Sequence, residues 1–378
     1  MLDVSHALSV IRQYALPQFP RRVSLEYAAG AVLAEPLVMD IDSPPFDRAA
    51  LDGFAVRAAD VRVDAPLSII GVQEAGGPRW NGRLSPGECI MINTGAPFPA
   101  SADAVLMVEH TRALTGQPGE ILPTQPVSSG HGVQRRGADA RAGQTLLSPG
   151  VRMGPAQLAV AAASGARQLL VRRPRIAVLT TGDELLAAEE RTPPGAGKIR
   201  NANRPMLLAL ARQAVGGAAK APGGDILDLE PCPDREADLH QRIASVMQNA
   251  DLLLISGGMS MGTRDLVPPL LRSLGFTFHI EKVRIKPGKP FLFAMAAVPA
   301  SEAGEPPRTF YVAGLPGNPV SAFVTFHRFV REIISRLAGA VDAIPPFLTA
   351  AAATELPENG GRELYQPAYL DWNTPLTV

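Results

Sequence analysis

The chain has 378 residues, 46% hydrophobic and 19% charged, with 36 basic and 36 acidic side chains. That length predicts about two to four domains, and the balanced charge excludes a general electrostatic pull toward nucleic acid or an anionic membrane. Two cysteines without CxxC spacing exclude a disulfide framework or a zinc ribbon. No apolar run approaches ~18–20 residues and the N-terminus has no basic n-region, so a soluble cytoplasmic protein is expected. Glycine (35) and proline (36) together make about a fifth of the chain, which predicts many turns and short strands.

In chain order, residues 3–15 have helical spacing, with Ser5 as N-cap and Ala7, Leu8, Ile11 and Ala15 on one face. A second short helix is expected over 24–34. From about 37 to 150 short β-prone pieces alternate with turn residues: LVMDI, FAVR, LSIIGV, GECIMI, AVLMVE, GQTLL. This predicts a small barrel or sandwich. Within it, Asp52-Gly53 reads as a hairpin turn or as part of a site, and Thr94-Gly95 as a turn cap or a phosphate contact. Arg135 and Arg136 precede Asp139 on what reads equally as a solvated face. Residues 154–164 predict an apolar helix opened by proline.

An α/β segment is expected from about 171 to 330, with strands IAVLT, LLLIS, FLFAM and TFYVA. Its helices are expected near 203–214, 234–249 (Asp234 as N-cap, Ala237, Leu239, Ile243 and Met247 inward), 265–274 and 319–336. Residues 176–184, 252–265 and 309–321 each pass from an apolar strand through a glycine-containing loop toward a helix. Three such loops predict one parallel sheet whose strand ends share a crevice. Residues 299–307 predict a hairpin tip, and FLTAAAATEL and ELYQPAYL predict a strand-like tail.

Backbone N–H groups of Gly257 and Gly258, at a strand-to-helix turn, suit an anion. Asp183, Glu184, Asp234 and Asp265 place carboxylates at loop ends, the donor type hard cations take together with substrate phosphates. Residues 282–290, KVRIKPGKP, would aim Lys282, Arg284 and Lys286 to one strand face, with Lys289 in a fixed turn. Acid for a metal and base for an anion fit a phosphorylated substrate; a salt-bridged rim is the alternative. No G-x-S-x-G elbow, P-loop or nucleophile-and-histidine pattern is present. His279 reads as a packed strand residue, His110 and His131 as surface loop residues.

PPFDRAALDGFAVR, INTGAPFPASADAVLMVE, TTGDEL, SGGMSMGTRD, KPGKP and GLPGNPVS stand in this order over about residues 1–345. Together they resemble the MoeA-type molybdopterin molybdenumtransferases, related to the E domain of gephyrin. The resemblance implies an elongated homodimer of multidomain α/β and β subunits. Its parts are a three-layer molybdopterin-binding α/β domain (171–335), a β-rich distal module (45–139) and small helical/β flanking domains. The flanks are a discontinuous linking domain (1–44 plus 140–170) and a truncated C-terminal β domain (336–378) that lacks the family's late serine-containing segment. It also implies hydrolysis of adenylated molybdopterin to AMP as molybdate is inserted, with Mg2+.

By position, the resemblance makes Asp52, Thr94, Glu184, Asp265, Lys282 and Lys286 catalytic, with Glu184 and Asp265 on the metal. It makes Thr181, Gly182, Asp183, Ser256, Gly257, Gly258, Ser260, Gly262, Pro316, Gly317, Asn318, Pro319, Asp139 and Asp234 substrate-binding. Departures from the family pattern are Arg48-Ala49, Gln134, Met259, Met261 and a longer stretch between Asn203 and Asp234. A molybdopterin adenylyltransferase and molybdoenzyme apoproteins or their chaperones are the implied partners. Two other readings stand beside catalysis: a non-catalytic pterin-nucleotide scaffold, and adenylation of molybdopterin.

Overall fold

The computed structural model describes residues 1–114, 118–187, 190, 193–216, 225–258, 266–299, 307–341, 349–356, 358 and 360–370. The chain divides into two compact units. One comprises Leu37–Leu147 with Ala163–Gly165, the other Met1–Pro36, Ser148–Ala162 and Ala166–Val378.

The smaller unit is built on a sheet of β1 (Gly53–Val56), β2 (Leu67–Gln73), β3 (Glu88–Ile92), β4 (Ala104–Met107), β5 (Thr111–Ala113) and β6 (Glu120–Pro123). The spatial order is β4-β1-β3-β2-β6-β5, antiparallel except for β2 and β3. Period-two alternation covers both faces. Ala55, Ile90, Ile92 and Val105 pack with Leu84 and Phe98 on one side. Phe54, Val56, Cys89 and Leu106 pack with Leu67 and Ile121 on the other. Where a barrel or sandwich is expected, the described residues give an open six-stranded sheet and a separate two-stranded pair, Arg48–Ala49 with Val133–Gln134, whose Ala49 and Val133 pack with the first of these clusters. The chain enters along Leu37–Val38 and leaves along Thr145–Leu147, and these two strands pair with each other.

The larger unit has a six-stranded sheet of β7 (Ile176–Thr180), β8 (Ile226–Asp228), β9 (Leu252–Ser256), β10 (Thr277–Ile280), β11 (Leu292–Val298) and β12 (Arg308–Leu315), in the order β8-β7-β9-β12-β11-β10. Strands β8, β7, β9 and β12 are parallel, β11 runs opposite to them, and β10, paired antiparallel to β11, returns to the common direction. The three strands expected to share one parallel sheet, β7, β9 and β12, do so, and FLFAM joins them as the antiparallel hairpin partner of β12. Residues 300–306 of the expected hairpin tip lie outside the described residues, and the pairing of β11 with β12 fits that reading.

Helices α1 (Val4–Tyr14), α2 (Pro155–Ala163), α3 (Asn203–Ala214), α4 (Glu236–Asn249), α5 (Val267–Ser273), α6 (Pro319–Thr325) and α7 (Arg331–Ala338) follow. On one face Ile176, Val178, Leu252, Leu254, Tyr311 and Ala313 meet α1, α3, α6 and α7. On the other, Ala177, Leu179, Leu253, Ile255 and Val312 meet α4 and α5. Continuous apolar strands between two helical layers give a three-layer α/β/α architecture, as a buried parallel sheet requires. Residues 326–330 form one π-helical turn, so the expected 319–336 helix is a continuous rod of three parts.

Ala7, Leu8, Ile11 and Ala15 are buried as expected, although Asp3, not Ser5, occupies the N-cap position of α1. The expected helix over 24–34 is replaced by a 3-10 turn (Leu25–Tyr27) and a strand, Val32–Leu33, paired with Val171–Arg172. In α4, Leu239 and Ile243 face inward as expected, but Ala237 is exposed. The expected tail strands reduce, among the described residues, to Glu363–Leu364 beside Ile285–Lys286. His279 is packed as expected, stacked on Tyr14 with ring centroids 3.8 Å apart, and burial lowers its pKa.

Candidate active site at the strand ends

The C-terminal ends of β7, β9 and β12 lie side by side in the larger unit, the position where open α/β sheets bind ligands. Residues beyond β7 are fixed from both neighbours. The Thr181 N–H donates to the Ser256 carbonyl at 2.9 Å, and the Cys232 N–H donates to the Thr180 carbonyl at 2.9 Å. Thr181 is 1% exposed, and its hydroxyl donates to Asp234 Oδ1 at 2.5 Å. A hydroxyl-to-carboxylate bond this short belongs to the stronger, charge-assisted class. Asp234 is therefore not the N-cap of α4, which begins after Arg235; its carboxylate faces back to the strand end. The Asp234 N–H donates to Asp183 Oδ1 at 3.2 Å, closing a three-residue link between the two loops.

Gly182 has φ +153°, and a Cβ there would come within 2.6 Å of Glu184 Oε2, so only glycine lets the carboxylate fold back over the turn. Asp183 and Glu184 are both exposed. Lys198 donates from Nζ to the Asp183 carbonyl at 2.6 Å. At the end of β9, Gly257 has φ +102°, and a Cβ would lie 1.9 Å from the Thr181 carbonyl oxygen. The two loops touch backbone to backbone at that point. Beyond β12, Pro316-Gly317-Asn318-Pro319 turns into α6, with Pro319 as its first residue and Asn318 Oδ1 accepting the Ser321 N–H at 3.1 Å.

Thr181, Gly182, Asp183, Asp234, Ser256, Gly257, Gly258 and the Pro316–Pro319 turn thus cluster at adjacent strand ends. Ser260, Gly262 and Asp265 lie outside the described residues. Lys286 sits on a two-residue strand paired with Glu363–Leu364. Val283 and Ile285 are fully buried while Arg284 and Lys286 are exposed and Lys282 half-buried, so the expected basic face exists.

Asp52, Thr94 and Asp139 belong to the smaller unit. Asp52 Oδ1 accepts the Thr94 N–H at 2.7 Å, joining the two loops expected from sequence. Asp139 accepts from Gln134 Nε2 at 2.8 Å and lies 3.7 Å from Arg48, so two departures from the family pattern touch each other through this carboxylate. Arg135 and Arg136 are paired with Asp47 and Asp42 at 2.8 and 2.6 Å. The Arg136 N–H and the Arg135 guanidinium hold the Asp47 carboxyl below the usual carboxylate range. The Ala142 N–H and Arg136 do the same for Asp42.

Sequence reasoning missed Asn201 and Asn203, buried polar residues at the entry to α3 whose amides reach Thr180 and Ser256. The signal available was two asparagines flanking one residue directly before a helix. It also missed Arg204, which Asp228 and then Glu230 hold in place by hydrogen bonds that push its pKa up.

For a metal, the donor chemistry is that of hard cations: exposed carboxylates at 183 and 184 beside a third at 234. No group of three or more metal-ligating side chains forms a closed cage among the described residues. The residues thus fit a cation held by one or two carboxylates and substrate phosphates, the mode typical of magnesium. No helix among the described residues is long and apolar enough to cross a membrane.

A family model described as the MoeA N-terminal region (domain I and II) matches residues 2–165, and one described as a probable molybdopterin binding domain matches residues 177–336. A molybdopterin molybdenumtransferase of Nostoc sp. is 36% identical over 349 residues, spanning 91% of this chain and 75% of that protein. One of Haemophilus influenzae is 31% identical over 375 residues, spanning 98% and 86%. Two solved structures of a molybdopterin biosynthesis MoeA protein from Pyrococcus horikoshii are 30% and 26% identical, with TM-scores of 0.66 and 0.68. Each likeness covers 90% of this chain and 80% of the other.

Proposed function

The chain belongs to the MoeA family of molybdopterin molybdenumtransferases, and from that membership we propose that it inserts molybdate into adenylated molybdopterin and releases AMP. The observation that carries this reading is the convergence of the 181–184, 256–258 and 316–319 turns at the ends of three adjacent parallel strands. Those turns bring backbone N–H groups and carboxylates together, the donor set a pterin nucleotide needs. The Gly257 and Gly258 amides are assigned to phosphate oxygens. Thr181, Gly182, Asp183, Asp234, Ser256, Ser260, Gly262 and the Pro316, Gly317, Asn318 and Pro319 turn shape the substrate crevice. Lys282 and Lys286 supply positive charge for molybdate or phosphate. Asp52 and Thr94 act as catalytic residues and Asp139 as a substrate contact of the β-rich module.

Glu184 and Asp265 would hold Mg2+, which when bound neutralises charge at the cleaved phosphoanhydride. The Thr181–Asp234–Asp183 link keeps the Glu184 turn in place, so the carboxylate meets its ligand without a change of loop conformation. We assign the chain to a cytoplasmic homodimer working beside a molybdopterin adenylyltransferase and molybdoenzyme apoproteins or their chaperones. Its domain plan is the linking domain (1–44 plus 140–170), the β-rich module (45–139), the α/β domain (171–335) and a C-terminal β domain (336–378).

The test is turnover of purified protein with adenylated molybdopterin, molybdate and magnesium, following AMP and cofactor together. Coupled release of both, lost in Glu184→Ala, supports the transferase. Tight binding of adenylated molybdopterin without turnover would replace it with the scaffold reading, and adenylation of free molybdopterin with the sister chemistry.

A further inference from the structure

Asn201 and Asn203 are 2% and 8% exposed. Asn201 serves the end of β7. Its Nδ2 donates to Thr180 Oγ1 at 2.8 Å, and its Oδ1 accepts the Arg204 N–H at 3.1 Å. Asn203 serves the other two strands. Its Nδ2 donates to Ser256 Oγ at 2.8 Å and to the Gly317 carbonyl at 2.7 Å, while Ser256 Oγ donates onward to the Pro316 carbonyl at 3.1 Å. Three hydrogen bonds therefore tie α3, the end of β9 and the turn after β12 into one closed unit. The carbonyl of Gly317 can only accept, which fixes the amide with its nitrogen toward these two partners. Asn203 Oδ1 is then left buried without a partner. A buried acceptor without a donor is costly and uncommon. The side chain is held in that pose by the two bonds its nitrogen makes.

We infer that Asn203 is a positioning residue: its amide sets the separation between the Ser256-Gly257-Gly258 turn and the Pro316–Pro319 turn, and with it the width of the substrate crevice. Ser256, at 2% exposure with its hydroxyl engaged on both sides, contributes through this link rather than by reaching a ligand. The inference rests on the proposed substrate site for its catalytic consequence, whereas its mechanical part holds for the protein alone. Aspartate cannot replace asparagine here, because an oxygen would face the Gly317 carbonyl at the present 2.7 Å.

The experiment compares the full-length protein with Asn203→Ala, Asn203→Asp, Ser256→Ala and the Asn203→Ala/Ser256→Ala pair. Hydrogen exchange of the Thr181 amide, bonded to the Ser256 carbonyl, and of the Ser321 amide, bonded to Asn318 Oδ1, is read beside titration with adenylated molybdopterin. Loss of the link should speed exchange at both turns by about tenfold while Leu253 and Val312 in the strands stay protected. Affinity for adenylated molybdopterin should fall by about tenfold, with kcat at saturation reduced much less. The double variant should be no worse than the worse single one, since both changes sever the same connection. Unchanged exchange at the two turns, or losses that multiply in the double variant, would overturn the inference. If wild-type protein binds no adenylated molybdopterin while exchange responds as expected, the functional reading fails and the clamp stands. If Asn203→Ala binds like wild type, the clamp fails and the functional reading stands. Should Asn203→Ala not fold, Ser256→Ala removes one atom and reads the same link from its other end.

Discussion

Gly257→Ala tests the contact between the two central turns. The substitution places a Cβ 1.9 Å from the Thr181 carbonyl oxygen on a backbone with φ +102°. Left-handed backbone costs an alanine about 1–2 kcal/mol. The overlap is relieved only by separating the turns, which gives up the 2.9 Å bond from the Thr181 N–H to the Ser256 carbonyl, worth about 1 kcal/mol. The expected destabilisation is about 2–3 kcal/mol, or roughly 5–10 °C in Tm for a unit of this size. Gly275→Ala is the control: φ is +83° but nothing lies within 4 Å of the added Cβ, so it incurs the backbone term alone. Displacing the turn by about 1 Å should also lower AMP release by roughly a hundredfold, which the control should not do. Thermal melts and AMP release on both variants decide the matter. A Gly257→Ala protein as stable and as active as Gly275→Ala would refute the argument that close backbone approach fixes these turns.

Asp225→Ala should cost about 3–5 kcal/mol, because it strips the counter-charge from Arg173, whose side chain is 3% exposed, and from Arg21. Urea denaturation should show a lower midpoint at unchanged slope, and replacing Arg173 by leucine in the same background should recover part of the loss. Asp47 and Asp42 have folded-state pKa values below the ordinary carboxylate range. Their stabilisation is therefore present above about pH 4 and lost as pH falls through the depressed folded values. Asp47→Asn should flatten that acid limb, read by acid titration of the β-rich module's circular dichroism; an unchanged limb would show that these pairs do not couple to folding.

Where local pattern carried the information, the sequence was readable. The apolar spacing of Leu239 and Ile243 located α4, and the strand–glycine–helix passages at 176–184 and 309–321 located two of the three clustered turns. Strand direction was not local information: Leu292–Val298 looks like its parallel neighbours in composition, and only its pairing with Arg308–Leu315 makes it antiparallel. The segment 24–34 has helical spacing, yet Val32 and Leu33 find partners about 140 residues away at Arg172 and Val171, and that pairing overrides propensity. Asp234 stands at a helix start in sequence, but a nearby hydroxyl claims its carboxylate. For Asn203 the pair of asparagines at the start of α3 marked a position but not a role, because a buried amide is recognised by what it bonds.

The pairing of Leu37–Val38 with Thr145–Leu147 has a consequence for synthesis. The β-rich module is complete, with its ends already zipped together, once about the first half of the chain has emerged, so it can fold while translation continues. The other unit has the opposite timetable. Helix α1 buries Leu8 and Ile11 against residues of α7, and Arg12 meets Glu332 across a separation of 320 residues. The apolar face of α1 therefore gains this cover only after residues 331–338 have been made.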